Sequence, residues 1–89
     1  MKDVAKVAGD NGVTLAIEPL NRFETYFINI AADAVKLAKD VGHPNVKVHL
    51  DTFHMNIEEP AIEASICTCG ESIFHFHVAD SNRWYPGTT

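Results

Sequence analysis

Three short stretches of this chain alternate apolar with polar residues, and runs of helical spacing stand between them. That order leaves few folds open. In residues 13–18, Val13, Leu15 and Ile17 oppose Thr14, Ala16 and Glu18, and Pro19 closes the run. In residues 46–51, Val46, Val48 and Leu50 oppose Lys47, His49 and Asp51. In residues 73–79, Phe74, Phe76 and Val78 oppose Ile73, His75, His77 and Ala79. Residues 2–9 place Val4, Ala5, Val7 and Ala8 at helical spacing, and the glycines of Gly9 to Gly12 end that helix. Asn29 is predicted to cap a second helix that runs through Lys39 and stops at Gly42-His43-Pro44. Asn56 and Glu59 have capping-box spacing, which predicts a third helix across Pro60 to Cys69, ended by Gly70. The predicted order is αβαβαβ. Strands separated by helices pair in parallel through right-handed crossovers, because a tight turn cannot join parallel neighbours.

The strand ends Glu18, Asp51 and His77 lie 33 and 26 positions apart, close to the about 31 residues per unit of a (β/α)₈ barrel. A doubly wound sheet has a similar rhythm, but no glycine-rich phosphate loop follows any strand. The predicted fold class is therefore α/β, a partial (β/α)₈ TIM barrel of about three βα units with parallel strands. At 89 residues the chain reads as a fragment, or as one part of something assembled from several copies, with room for one modest core. Acidic residues outnumber basic ones 12 to 7, which argues against a nucleic-acid or anionic-membrane partner, since both need a surplus of Lys and Arg. No apolar run approaches the roughly 18 residues of a membrane span, and the N-terminus lacks the apolar core of a signal peptide. The expected location is the cytoplasm, and Cys67 and Cys69 read as reduced thiols.

In each strand the ionisable residues share one face. Helices must cover the other, so the polar face lines the barrel interior or its mouth. Glu18, Asp51 and His77 then point inward at the C-terminal strand ends, where barrels of this kind keep their active sites. Two carboxylates and an imidazole suit Mn²⁺, Co²⁺ or Mg²⁺ better than zinc, which recruits Cys or several His. Each of the three, taken alone, reads as a solvated strand end; shared parity and position favour the metal. Glu24, His54 and Arg83 trail these ligands in the adjoining loops, where they would bind hydroxyls or a carbonyl. Alone, Glu24 is a solvated loop carboxylate and Arg83 a surface residue. Phe23, Tyr26, Phe53, Trp84 and Tyr85 wall a sugar site or pack the core. His49 and His75 share the interior parity and read as buried structural histidines, and the inward Lys47 needs a partner.

Three blocks make the sequence specific: IEPLNRFET at 17–25, LDTFHMNIEE at 50–59, and FHVADSNRW at 76–84 followed by Pro86-Gly87. Together they resemble the ketose 3-epimerases, the D-tagatose, D-psicose, L-ribulose and 5-keto-L-gluconate epimerase group of the xylose isomerase-like TIM barrels. The resemblance covers the whole chain, residues 1–89, as the equivalent of the fourth helix through the seventh strand of one barrel domain. It implies a carbohydrate epimerase, an isomerase dependent on a divalent metal, with Mn²⁺ first and Co²⁺ or Mg²⁺ as alternatives. It implies that Glu18, Asp51 and His77 bind the metal and that Glu18 also exchanges the substrate proton through a stabilised enediolate. Glu24, His54 and Arg83 are implied to hydrogen-bond the oxygens around the ketose carbonyl. The family's second base and fourth ligand, a glutamate on the eighth strand, has no counterpart before Thr89. The expectation is thus a segment inactive or feeble alone, prone to homo-oligomerise or to associate with the absent barrel units. The departures are small: Ile30-Ala31 stand where a Thr cap is common, and Ile66-Cys67-Thr68-Cys69 is unusual for that helix. A sugar or hydroxypyruvate isomerase of the same superfamily and a truncated non-catalytic module are the alternatives. An endonuclease-like phosphodiesterase would need a multi-metal His cluster and a basic groove.

Overall fold

Three strands with alternating faces and helices between them can bury their apolar side in one way: side by side and parallel, with the helices on that side. The structure, a computed structural model describing residues 1–89, has this arrangement. Strands β1 (Leu15–Ile17), β2 (Val46–Asp51) and β3 (Ile73–His77) form one sheet in the order β1-β2-β3, and both pairings are parallel. The core sits on the apolar side of the central strand. Val46, Val48 and Leu50 of β2 are buried there together with Ala31, Ala34, Val35, Ala38 and Val41 of helix α2 (Ala31–Val41). Small alanines on that helix face let α2 lie close to the sheet. The helix ends at Gly42, whose φ of 71° and N–H bond to the Ala38 carbonyl at 3.1 Å form a left-handed stop. Helix α1 (Lys2–Asp10) adds Ala5 to the core, and α4 (Ile62–Cys69) adds Cys69.

Several details differ from the expectation, and the contacts give the reason for the first four. First, residues 52–58 are not loop: helix α3 (Thr52–Glu58) follows β2 at once, because the Asp51 carboxylate accepts the Phe53 N–H at 2.9 Å and caps it. Second, Asn56 and Glu59 do not form a capping box. Asn56 lies inside α3, and α4 begins only at Ile62, with Pro60 outside both helices.

Third, Asn29 does not cap α2. Its amide instead donates to the Leu20 and Thr25 carbonyls, at 2.8 and 3.0 Å, and the Glu59 carboxylate accepts the Ala31 N–H at 2.7 Å in its place. Fourth, the alternation in β3 is broken. Val48 pairs with Ile73 but His49 pairs with His75, so Phe74 is an extra residue in a β-bulge. Ile73 therefore joins Phe76 against the core, and Phe74 is exposed. Strand β1 is also shorter than expected. Lys47 finds its partner in the Glu71 carbonyl, at 3.3 Å. No helix is long and apolar enough to cross a membrane.

Candidate active site

The C-terminal edge of the sheet gathers the expected ligands. Glu18 directly follows β1, while Asp51 and His77 are the last residues of β2 and β3 and face each other in register. Asp51 Oδ2 and His77 Nδ1 lie 4.0 Å apart. Two three-residue sets, Glu18-His49-His77 and Glu18-Asp51-His54, bring their donor atoms within 4.8 Å of one another. Each pair of the expected triad is thus close, although the triad is joined through His49 and His54 rather than forming a set by itself. Above the strand ends lies a cleft of about 530 Å³ lined by Glu18, Asp51, His77, Glu24, His54 and Arg83, with Leu20, Phe53, Val78 and Ala79.

The second tier is one connected network. The Arg83 guanidinium donates to Glu24 Oε2 and stacks 4.1 Å over the Phe53 ring, a cation–π contact. Glu24 Oε2 also accepts from Asn21 Nδ2 at 2.6 Å and lies 3.8 Å from His54 Nδ1. His54, on α3, is buried, and its Nε2 is 4.0 Å from Glu18 Oε2. The loop bearing Asn21 and Glu24 is fastened to α3 by Arg22, whose backbone N–H and Nε both donate to Glu58 Oε2, at 2.7 and 2.8 Å. These hydrogen bonds hold the Glu58 carboxyl below its ordinary range.

Asn21 escaped the sequence reading, although it is 2% exposed and contacts both Glu24 and His54. The available signal was its place three residues before Glu24, with the Asn21 Oδ1 accepting the Phe23 N–H at 2.9 Å in an Asx turn. His49 was read as structural, and its ring is indeed largely enclosed. Its Nε2, however, is the one buried side-chain nitrogen or oxygen without a hydrogen-bond partner, and it lies 3.9 Å from Glu18 Oε2. Burial lowers the His49 pKa, against the pull of Glu18, so the ring is held toward its neutral, lone-pair-bearing form. His75 corrects the expectation in the opposite direction: it is exposed. Of the five aromatics considered for the site only Phe53, on α3, lines the cleft; Phe23, Tyr26, Trp84 and Tyr85 neither wall it nor pack the core, each being at least 66% exposed.

The donors fit a divalent cation. Hard carboxylate oxygens from Glu18 and Asp51, with the His77 imidazole and the orphaned nitrogen of His49 nearby, make a mixed oxygen–nitrogen set with no thiolate. Cys67 and Cys69 are free and lie on α4, outside the cleft lining.

Residues 1–88 match the family described as the xylose isomerase-like TIM barrel. The chain is 54% identical over 84 residues to the D-psicose 3-epimerase of Agrobacterium fabrum, an overlap of 94% of this chain and 29% of that protein. It is 52% identical over 87 residues to the D-psicose 3-epimerase of Ruminiclostridium cellulolyticum, covering 98% of this chain and 30% of the relative. Among solved structures, a crystal structure of a D-psicose 3-epimerase in the presence of D-fructose superposes with a TM-score of 0.95 at 51% identity, over 99% of this chain and 30% of that one. The chain spans about 30% of the length of the relatives it matches.

Proposed function

The chain belongs to the xylose isomerase-like TIM barrel family, and from that premise we propose that it carries the metal-holding, proton-transferring face of a ketose 3-epimerase. In this reading it corresponds to the fourth helix through the seventh strand of one barrel domain and works with the rest of that barrel. The carrying observation is the meeting of Glu18, Asp51 and His77 with Glu24, His54 and Arg83 in one cleft at the C-terminal edge of a parallel sheet.

Glu18, Asp51 and His77 would hold a divalent cation, Mn²⁺ in the first instance. Such a cation, when bound, stabilises negative charge on the sugar's carbonyl oxygen and so acidifies the neighbouring C–H. Glu18 removes or returns that proton on one face of the sugar carbon. The base on the opposite face comes from outside these residues. Arg83 and His54 donate hydrogen bonds to sugar oxygens, and Glu24 accepts from a hydroxyl while holding Arg83 in place. Phe53 closes one wall.

The test uses the longer protein that contains this chain, incubated in D₂O with Mn²⁺ and D-fructose, D-psicose or D-tagatose. Deuterium entering at C3 together with the C3 epimer is the expected result, lost in Glu18→Gln. Exchange at C1 with aldose as product would make the protein an isomerase and overturn the reading.

A further inference from the structure

His54 has two possible uses in the cleft. It belongs to one of the close donor sets, with Glu18 and Asp51, yet it is equally placed to donate a proton to a sugar oxygen. A neutral imidazole cannot do both through Nε2, because a ligating nitrogen offers its lone pair and a donating nitrogen its hydrogen. The opposite ring nitrogen decides. The backbone N–H of Asn21 meets His54 Nδ1 at 3.0 Å, and a backbone amide nitrogen has only a proton to give. Asn21 Nδ2 is also 3.0 Å from Nδ1. The orientation of that side-chain amide is fixed separately, since Oδ1 accepts the Phe23 N–H at 2.9 Å and Nδ2 donates to Glu24 at 2.6 Å. Glu24 Oε2, at 3.8 Å, is the acceptor that would otherwise draw a proton to Nδ1, and it is already engaged by Asn21 and Arg83. Asn21 and His54 are 2% and 6% exposed, so water does not compete.

We infer that Asn21 is a positioning residue that locks the ring proton of His54 on Nε2, so that His54 faces the cleft as a hydrogen-bond donor and stays outside the metal's donor set. The set at the strand ends then reduces to Glu18, Asp51 and His77, with His49 adjoining. The role of His54 toward a sugar rests on the epimerase reading. The position of its proton does not, and it can be measured without sugar or turnover.

The experiment is ¹⁵N NMR of the same longer protein used for the deuterium test, labelled with ¹⁵N at histidine and asparagine. Long-range ¹H–¹⁵N spectra are expected to show a bare Nδ1 and a protonated Nε2 on His54, with a scalar coupling across the hydrogen bond from the Asn21 amide nitrogen to Nδ1. Saturation with Zn²⁺, a diamagnetic probe, is expected to shift His77 to the ligated pattern while His54 keeps its Nε2 proton. A proton on Nδ1, or loss of the Nε2 proton with Zn²⁺, would overturn the inference. In calorimetry, His77→Ala is expected to weaken Zn²⁺ binding about tenfold or more and His54→Ala by less than about threefold; the reverse order would also overturn it. Asn21→Ala, checked for folding by its amide spectrum, loses the turn that aims the backbone donor, so a measurable Nδ1–H population is expected. A His54 spectrum identical to wild type in that variant would remove the positioning role.

Discussion

Asp51 serves two structures with one carboxylate: Oδ1 caps α3 through the Phe53 N–H, and Oδ2 faces His77. The two roles separate by substitution. Asparagine caps a helix about as well as aspartate, whereas alanine does not. Asp51→Asn is therefore expected to hold urea-unfolding stability within about 0.5 kcal/mol while weakening metal binding at least about tenfold, and Asp51→Ala to lose about 1 kcal/mol as well. Equal stability losses in both variants would show that the cap contributes nothing. Asp80 organises the last loop. It accepts from the backbone N–H groups of Ser81, Gly87 and Thr89 and from the Thr89 hydroxyl, and these bonds, the hydroxyl's first, hold its carboxyl far below the usual carboxylate range. A depressed folded-state pKa means that the ordering is fully present above the ordinary value of 3.8 and is lost as pH falls through the folded value. The Gly87 amide resonance should therefore keep its loop position well below pH 3.8 and move only under stronger acid; in Asp80→Asn it should start displaced and show no such transition. This loop also holds Arg83, at a φ of 70°.

At the scale of elements, Glu59 joins two helices. Oε2 accepts the Ala31 N–H at the start of α2, and Oε1 accepts the Ser65 hydroxyl of α4 at 2.7 Å. Helix α2 has no side-chain cap of its own, so Glu59→Ala should cost about 1 kcal/mol or more, read as a lower urea midpoint at unchanged slope. A neutral result would mean that water replaces the carboxylate at Ala31. The same residue shows what the sequence conceals. Glu59 after Asn56 has the spacing of a local capping box, and only the tertiary fold turns Glu59 toward a helix 28 positions away. The bulge at Phe74 was hidden for a related reason: periodicity counts residues along one strand, and a bulge is a mismatch between two. Helix α3 is concealed in the sequence because Asp51 reads equally as a metal ligand and as the cap of a helix that follows it. By contrast, Val46, Val48 and Leu50 set β2, its core face and the inward face of Asp51, since no other pairing of that strand buries three apolar side chains.

The molecule as a whole is elongated. Its radius of gyration is 13.5 Å, with extents of 43 × 24 × 21 Å, where a compact chain of this length would measure about 12 Å. The strand order leaves β1 and β3 as edges, each with one pairing partner, and on β3 and just after it stand Phe74 at 55% and Val78 at 60% exposure. The loops at the sheet's C-terminal end add Phe23, Tyr26, Phe27, Trp84 and Tyr85. The parallel strands and the placing of Glu18, Asp51 and His77 at their C-terminal ends were legible in the sequence because strand ends are local features, and the nearness of Glu24, His54 and Arg83 to the same cleft followed from their short spacing after those ends. What covers these edges is not local, and no spacing within the chain encodes it. An unpaired strand edge beside exposed aromatic surface favours pairing with another chain. The 89-residue protein is accordingly expected to self-associate, so that sedimentation equilibrium gives an average mass rising with concentration above the 9.8 kDa monomer. Charge placed on an edge should oppose this: Phe74→Lys, at the exposed bulge, is expected to shift the equilibrium toward monomer while leaving the Asp51–His77 register intact in the amide spectrum. A wild-type chain that sediments as a single 9.8 kDa species at every concentration would show that the edges are protected by their own twist and bulge and require no partner.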